Sequence, residues 1–396
     1  MRIAVFTLTS PLHNEEAVHA VTAEFLNSLK LMPSLQGNDF SSYGQHDLNL
    51  IYVRTGGTEG LFRQLLPQLL HQSDRPFYLL TSGKSNSLAA SLEILSYLRQ
   101  KGLRGEVLHG STAYVTERIA QLEKVEHAGK TMRGMRLGIV GQPSDWLIAS
   151  EVDSCVVREK LGIELVEIPI DELLEIMQQQ PESTSDLTSD VACIREALPG
   201  AQRIYAGLKE LVRRYRLNGL TLRCFDLLTA VRNTGCLALA KLASEGIVAS
   251  CEGDVPAMLT MAIGQTLTGI VGFQANPSRI DVESGRMLFA HCTIPLNMVE
   301  RYELDTHFES GIGVGIRGYM KEGPVTVCKV SGDLKRHFSE EGMLVENQSQ
   351  PDLCRTQQLI QLSNPQRATY FLTEPIGNHH VILPGRHKRL FDDFLK

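Results

Sequence analysis

Short apolar runs alternate with stretches of helical periodicity along the first third of the chain. Residues 2–7, 48–53, 77–80 and 107–108 are compact β-rich runs. Between them, apolar positions recur at helix spacing, as at Val18, Val21, Phe25 and Leu29, and again at Leu61, Leu65, Leu66 and Leu69. Strands separated by helices predict parallel βαβ units. Residues 1–133 therefore read as one doubly wound α/β domain.

A polar, glycine-containing stretch at 124–136 reads as a linker, after which the same alternation resumes. Strands are predicted at 135–141, 165–168, 220–226 and 247–250. Helices are predicted at 149–161, 172–178, 235–245 and 257–267. A polar loop spans 179–190, and the helical stretch 191–215 is expected to break at Pro199-Gly200. This gives a second doubly wound domain, 134–269, which carries Glu252. From residue 270 the texture changes. Short β-like runs at 270–273, 286–292, 325–330, 343–348, 368–372 and 380–383 lie between turn-rich segments and predict an antiparallel, barrel-like domain over 270–396. A helix at 389–395 closes the chain. The expected fold class is α/β, with two doubly wound parallel-sheet domains followed by a β-rich, barrel-like C-terminal domain.

Composition narrows the function classes. The net charge of −6 provides no basic footprint for nucleic acid, and 43% hydrophobic with 21% charged residues is ordinary for a soluble enzyme. No apolar run reaches the roughly 18–20 residues of a membrane helix. The eight cysteines are scattered without a Cys-x-x-Cys pair, so buried, reduced thiols and a cytoplasmic location are expected.

Several motifs sit where chemistry is commonly placed. Cys251-Glu252-Gly253-Asp254-Val255-Pro256 joins a strand to a helix, and in open α/β sheets ligands gather beyond the carboxyl ends of strands. Helix capping by Glu252 and Asp254 would explain the same residues. The turn Thr55-Gly56-Gly57-Thr58-Glu59 can offer backbone N–H groups to an anion or a sugar hydroxyl, or can simply be a tight turn. Trp146, the only tryptophan, follows Gly141-Gln142-Pro143-Ser144-Asp145 and can face the C–H side of a sugar or close a cleft by packing. The glycines before it are too few for a dinucleotide fingerprint. His291 ends an apolar strand, where a satisfied core histidine is the simple alternative. The adjacent His379 and His380 enter another strand on opposite faces, so one can ligate a metal while the other does not. The remaining histidines, His307 among them, show no metal-like spacing and read as surface or packing residues.

Taken in order, Arg54-Thr55-Gly56-Gly57-Thr58-Glu59, Gly141-Gln142-Pro143-Ser144-Asp145-Trp146, Cys251-Glu252-Gly253-Asp254-Val255, Ala290-His291-Cys292 and Gly377-Asn378-His379-His380 resemble the L-fucose/L-arabinose isomerase superfamily, in particular its short fucose-isomerase-like branch. The resemblance spans nearly the whole chain in short segments. It implies a divalent cation, usually manganese, and aldose–ketose isomerisation through an enediol on a free pentose, deoxyhexose or modified sugar. It also implies a homo-oligomer in which a neighbouring subunit completes the cleft, with Thr55, Gly56 and Gly57 near a partner's site. Glu252 matches the catalytic, metal-binding carboxylate, His379 or His380 the metal-binding histidine, and His291 a histidine of the arabinose-isomerase-like site, where a proton shuttle or substrate contact is expected. The family's second carboxylate falls at Asn276. An amide oxygen can ligate a hard cation, but an amide cannot act as a general base. Asp281 and Glu283 lie nearby in sequence. Two other readings follow from that departure: a sugar-binding protein without chemistry, or an enolate or aldol-type enzyme using the same metal.

Overall fold

The structure is a computed structural model and describes residues 2–30, 33–179 and 187–395. Most of the polar stretch 179–190 falls outside the described residues. Contacts divide the chain into two compact units, Met1–His127 and Ala128–Lys396.

The first unit runs β1 (Ile3–Leu8), α1 (Glu15–Ser28), β2 (Ser34–Gly37), β3 (Leu48–Val53), α2 (Glu59–Gln72), β4 (Phe77–Leu80), α3 (Ser87–Gln100), β5 (Gly105–Leu108) and into α4 (Thr112–Met132). The five strands form a parallel sheet in the order β2-β1-β3-β4-β5. β1, β3 and β4 are buried throughout, because helices cover both faces of such a sheet. Strand alternation splits the core in two: Ile51 and Val53 pack with Phe62 and Ile94, while Leu50 and Tyr52 pack with Ile119 and Leu122.

The second unit begins with β6 (Arg136–Val140), α5 (Ser154–Leu161), β7 (Glu164–Ile168), α6 (Ile170–Gln179), α7 (Ala192–Tyr215), β8 (Gly219–Leu222), α8 (Asp226–Ala230), α9 (Cys236–Ser244), β9 (Val248–Cys251) and α10 (Val255–Thr268). Its parallel sheet has the order β7-β6-β8-β9. The chain continues as β10 (Phe273–Asp281), β11 (Arg286–His291), β12 (Arg301–Asp305), β13 (Gly315–Tyr319), β14 (Gly323–Val330), β15 (His337–Gln348), β16 (Thr356–Leu362), α11 (Tyr370–Thr373), β17 (His380–Pro384) and α12 (Lys388–Leu395). Six of these strands close an antiparallel barrel, β10-β11-β16-β15-β14-β17, and β12 pairs with β13 as a separate ribbon. The fold is thus α/β with parallel sheets and a barrel, as the hydrophobic pattern predicts. Val255–Gly264 of α10 are all buried, because the helix packs against β9 of the sheet and against β14 and β17 of the barrel. Phe273, Phe289, Val327, Phe338, Ile360 and Ile382 fill the barrel interior.

Several local expectations differ. The supposed linker 124–136 is largely the last turns of α4, and α7 runs unbroken through Pro199. Residues 368–372 are a short helical segment, because Asn364 caps a turn led by Pro365. Strand β8 stops at Leu222, before a turn and α8. β12, β13 and β16 escape the periodicity reading because charged or glutamine positions interrupt their apolar runs. All eight cysteines are unpaired, and Cys155 and Cys193 are exposed rather than buried. Among the described residues no helix is long and apolar enough to cross a membrane.

Candidate metal centre

The centre is built on the turn between β9 and α10. Glu252 and Gly253 both adopt left-handed backbone, with φ of 65° and 69°. For glutamate this costs about 1 kcal/mol or more, so the surroundings must impose it. At 253 only glycine fits, since a Cβ would lie 2.6 Å from the Gln142 carbonyl oxygen. That close approach docks the loop after β6 on the turn. Ser144 N–H donates to the Glu252 carbonyl at 3.0 Å, and Gly253 N–H donates to that of Leu222 at 3.0 Å. The loop then delivers Trp146, whose Nε1–H donates to Glu252 Oε2 at 2.7 Å. Half of the indole surface stays exposed.

The other carboxylate oxygen faces two imidazoles. Glu252 Oε1 lies 3.5 Å from Nε2 of His291 and 3.4 Å from Nε2 of His379, with the two rings 5.3 Å apart. Barrel register brings them there. β10 pairs with β17 through Phe273–Ala275 and with β11 from Asn276 onward, so the His291 end of β11 and the His380 end of β17 meet at the same point of β10. Each ring is held from behind. His291 Nδ1 lies 3.1 Å from Thr293 Oγ1, and His379 Nδ1 lies 2.8 Å from Asp254 Oδ2. Asp254, fully buried, caps α10 through Ala257 N–H at 2.7 Å and sits 3.4 Å from the buried Lys329 ammonium. Lys329, Asp254, His379 and Glu252 therefore form one continuous polar line through the interior.

The charges settle accordingly. Burial works against ionised Glu252, but His291 and His379 outweigh it and hold the carboxyl well below the usual range. Burial likewise opposes ionised Asp254, yet Lys329 and His379 bring it down to about 2. Burial disfavours imidazolium at His379, but Asp254 and Glu252 raise its pKa to about 9. His291 is pushed down, first by burial and also by the charge on His379, with Glu252 opposing. One proton thus sits on His379 and His291 is neutral.

This donor set fits a divalent cation. One carboxylate oxygen and two imidazole nitrogens lie within 4.8 Å of one another. His379 Nε2 and Asn276 Oδ1 are both buried without a hydrogen-bond partner. Mixed N/O donors suit a first-row divalent metal, and a carboxylate behind a ligating histidine orients it. A pH effect follows. The His379 pKa rises from an ordinary 6.5 to about 9, so its contribution to apoprotein stability is complete below pH 6.5 and fades as pH climbs through 9. Metal must displace that proton, so apparent affinity should rise about tenfold per pH unit between 6.5 and 8.5. Calorimetric titration at three pH values, with chelator competition, measures the slope. A flat profile would mean His379 starts neutral.

The remaining candidates fall elsewhere. His380 is buried but turned from the group, with Nε2 at 3.2 Å from the Tyr370 hydroxyl and Nδ1 at 3.0 Å from the Asn378 carbonyl. Burial pushes its pKa down to about 3. Asp281 and Glu283 lie at the exposed hairpin between β10 and β11, where Asp281 accepts from the Glu283 and Ser284 backbone. Thr55, Gly56 and Gly57 belong to the first unit, in a turn closed by Ser10 N–H on Thr55 Oγ1 and by Gly56 N–H on the Ser85 carbonyl. Sequence reading missed Lys329 and understated Asp254. A lysine inside Val325-Thr326-Val327-Cys328-Lys329-Val330 was the available sign of a buried ion pair.

No protein-family profile matches the chain. Among curated proteins it is similar to the sulfoquinovose isomerase of Alkalicoccus urumqiensis, 21% identical over 62% of this chain and 59% of that protein. It is also similar to that of Clostridium sp. (strain MSTE9), 30% identical over 31% of this chain and 26% of the relative. The Priestia aryabhattai sulfoquinovose isomerase is 22% identical over 54% and 51%. The matched stretch spans between about a quarter and three fifths of these relatives' lengths.

Proposed function

We propose that the chain is a metal-dependent aldose–ketose isomerase acting on a free sugar, with sulfoquinovose the first candidate because the relatives carry that name. The observation that carries the reading is the Glu252–His291–His379 group, within which the buried His379 Nε2 has no hydrogen-bond partner. Glu252, His291 and His379 would hold a divalent cation such as manganese, and Asn276 Oδ1 is a fourth donor. When bound, the cation polarises the carbonyl and hydroxyl oxygens of the sugar.

The protein's own groups do the rest. Glu252 moves the carbon-bound proton between adjacent carbons, held in place by the Trp146 N–H on Oε2. Asp254 and Thr293 fix the imidazole orientations. The exposed Trp146 face packs on the apolar side of the sugar ring. A homo-oligomer, with Thr55, Gly56 and Gly57 facing a partner's cleft, belongs to the same proposal, and light scattering tests it.

The protein loaded with manganese should convert sulfoquinovose, L-fucose or L-arabinose to its ketose and wash solvent deuterium into the carbon next to the carbonyl. Since Trp146 is the only tryptophan and touches Glu252, its fluorescence should change on adding metal and again on adding sugar. Fluorescence changes with neither turnover nor exchange would identify a sugar-binding protein. Cleavage into two smaller fragments would identify an aldol-type enzyme.

A further inference from the structure

Isomerisation moves two protons, and the proposed site accounts for only one of them. In the aldose-to-ketose direction the C2–H bond breaks, a C1=C2 double bond forms and O1 gains a proton. The O2–H bond breaks as well, C2=O forms and C1 is protonated. Glu252 can carry the carbon proton from C2 to C1. The oxygen proton must pass from O2 to O1, and the amide at Asn276 cannot take it.

We propose, resting on the isomerase reading, that His307 is the second proton-transfer residue of this site, its Nε2 contacting the sugar's two reacting oxygens. A line of rings leads to it from Glu252. Trp146 donates to the carboxylate, its ring meets Phe225 edge-on at 4.8 Å, and Phe225 meets His307 edge-on at 5.5 Å. The charges of His291 and Glu252 also reach the His307 ring, so it lies near the same centre.

His307 is also rigidly seated. Its Nδ1 lies 2.9 Å from Ser310 Oγ, its N–H donates to the Ile312 carbonyl at 3.1 Å, and its carbonyl accepts from Gly311 at 2.9 Å. The preceding Thr306 is clamped by Arg355, which donates to its carbonyl at 2.8 Å and to its hydroxyl at 2.9 Å. Gly313 presses on Thr234, where a Cβ would come within 2.8 Å, and Thr234 Oγ1 donates to the Val314 carbonyl at 3.2 Å. The loop is thereby anchored beside the segment that carries Phe225. Only 8% of His307 is exposed, and its ring is held through Nδ1, which leaves Nε2 as the nitrogen open to a ligand.

The ring is neutral, since burial, with His291 and Arg355 adding to it, brings its pKa down to about 4. With Nδ1–H donated to Ser310, Nε2 presents a lone pair. It takes the O2 proton and becomes imidazolium, and gives that proton to O1 as Glu252 removes the C2 proton and the C1=C2 double bond forms. The imidazole ends as it began, and the step consumes no other reactant.

The test uses His307→Gln and His307→Asn in full-length, manganese-loaded protein, on whichever sugar the wild type converts. Turnover is expected to fall on the order of 10²-fold or more, with KM within about threefold, and with bound metal, melting temperature and the Trp146 response to sugar unchanged. Deuterium exchange at C2 should outlast turnover, so the ratio of exchange to conversion rises, which a purely structural role would not produce. Turnover within threefold of wild type overturns the inference, as does a loss confined to KM or one that follows metal content. If the wild type converts no sugar, the isomerase reading falls and takes this inference with it.

Discussion

A Glu252→Gln variant should stay folded, lose its bound cation, and fall at least about 10³-fold in turnover. The substitution keeps the shape and removes the charge. Oε1 is the atom that both imidazole Nε2 groups face, at 3.5 and 3.4 Å, and Oε2 is the acceptor for Trp146. An amide there can still accept from the indole, so the loop after β6 stays docked. It cannot offer a charged ligand, and it cannot take a proton. The imidazolium at His379 also loses one of the two anions that sustain it, so its pKa should drop and the pH slope of any residual metal binding should flatten. Metal content after gel filtration, circular dichroism and turnover together decide the matter. A variant that binds manganese and turns over as the wild type does would remove Glu252 from the centre.

Asp254→Asn is expected to have the largest effect on stability. Asn can still cap α10, because its amide oxygen can accept the Ala257 N–H. What disappears is the only ion-pair partner of the buried Lys329 ammonium among the described residues, together with the anion behind His379. Removing one partner of a buried pair strands the other, at about 3–5 kcal/mol, which for a unit of this size lowers the melting temperature by roughly 10 °C. Metal affinity should weaken about 10- to 100-fold, because His379 loses the group that orients it. The double variant with Lys329→Met separates the two effects. Stability should largely return, since the stranded ammonium is gone, while metal affinity stays low. If the single variant melts and binds metal like the wild type, the polar line from Lys329 to Glu252 has no energetic weight.

Both expectations concern charges that sequence reading only half anticipated. Glu252 stood out because a glutamate in a Gly-containing turn between an apolar strand and a Pro-led helix is placed at a strand's carboxyl end. Asp254 read only as a cap, and it is one. Its second oxygen, turned to His379, depends on a residue 125 positions away. Lys329 is explained only by its partner, since a buried ammonium needs a counter-charge that no local pattern reveals. His307 was set aside with the packing residues, because its place at the end of the Trp146–Phe225 line is a long-range fact.

By itself, the sequence determined the layered architecture. Apolar runs bounded by turn residues, alternating with helical periodicity, allow only sheets covered by helices, and the later change of texture marks the barrel. These are local patterns, written in neighbouring residues. Tertiary structure alone decided how the centre is composed. In a strand, adjacent side chains point to opposite faces, so the sequence could not choose between His379 and His380. The pairing of His380 with Ala275 in the barrel makes that choice, turning His379 to Glu252 and His380 to Tyr370. The left-handed backbone at Glu252 and Gly253, set by the approach of the Gln142 loop, brings Trp146 onto the carboxylate. Barrel closure brings residues 252, 291 and 379 within ligand distance of one another. Convergence across such sequence separations depends on register and packing, which local hydrophobic patterns do not encode.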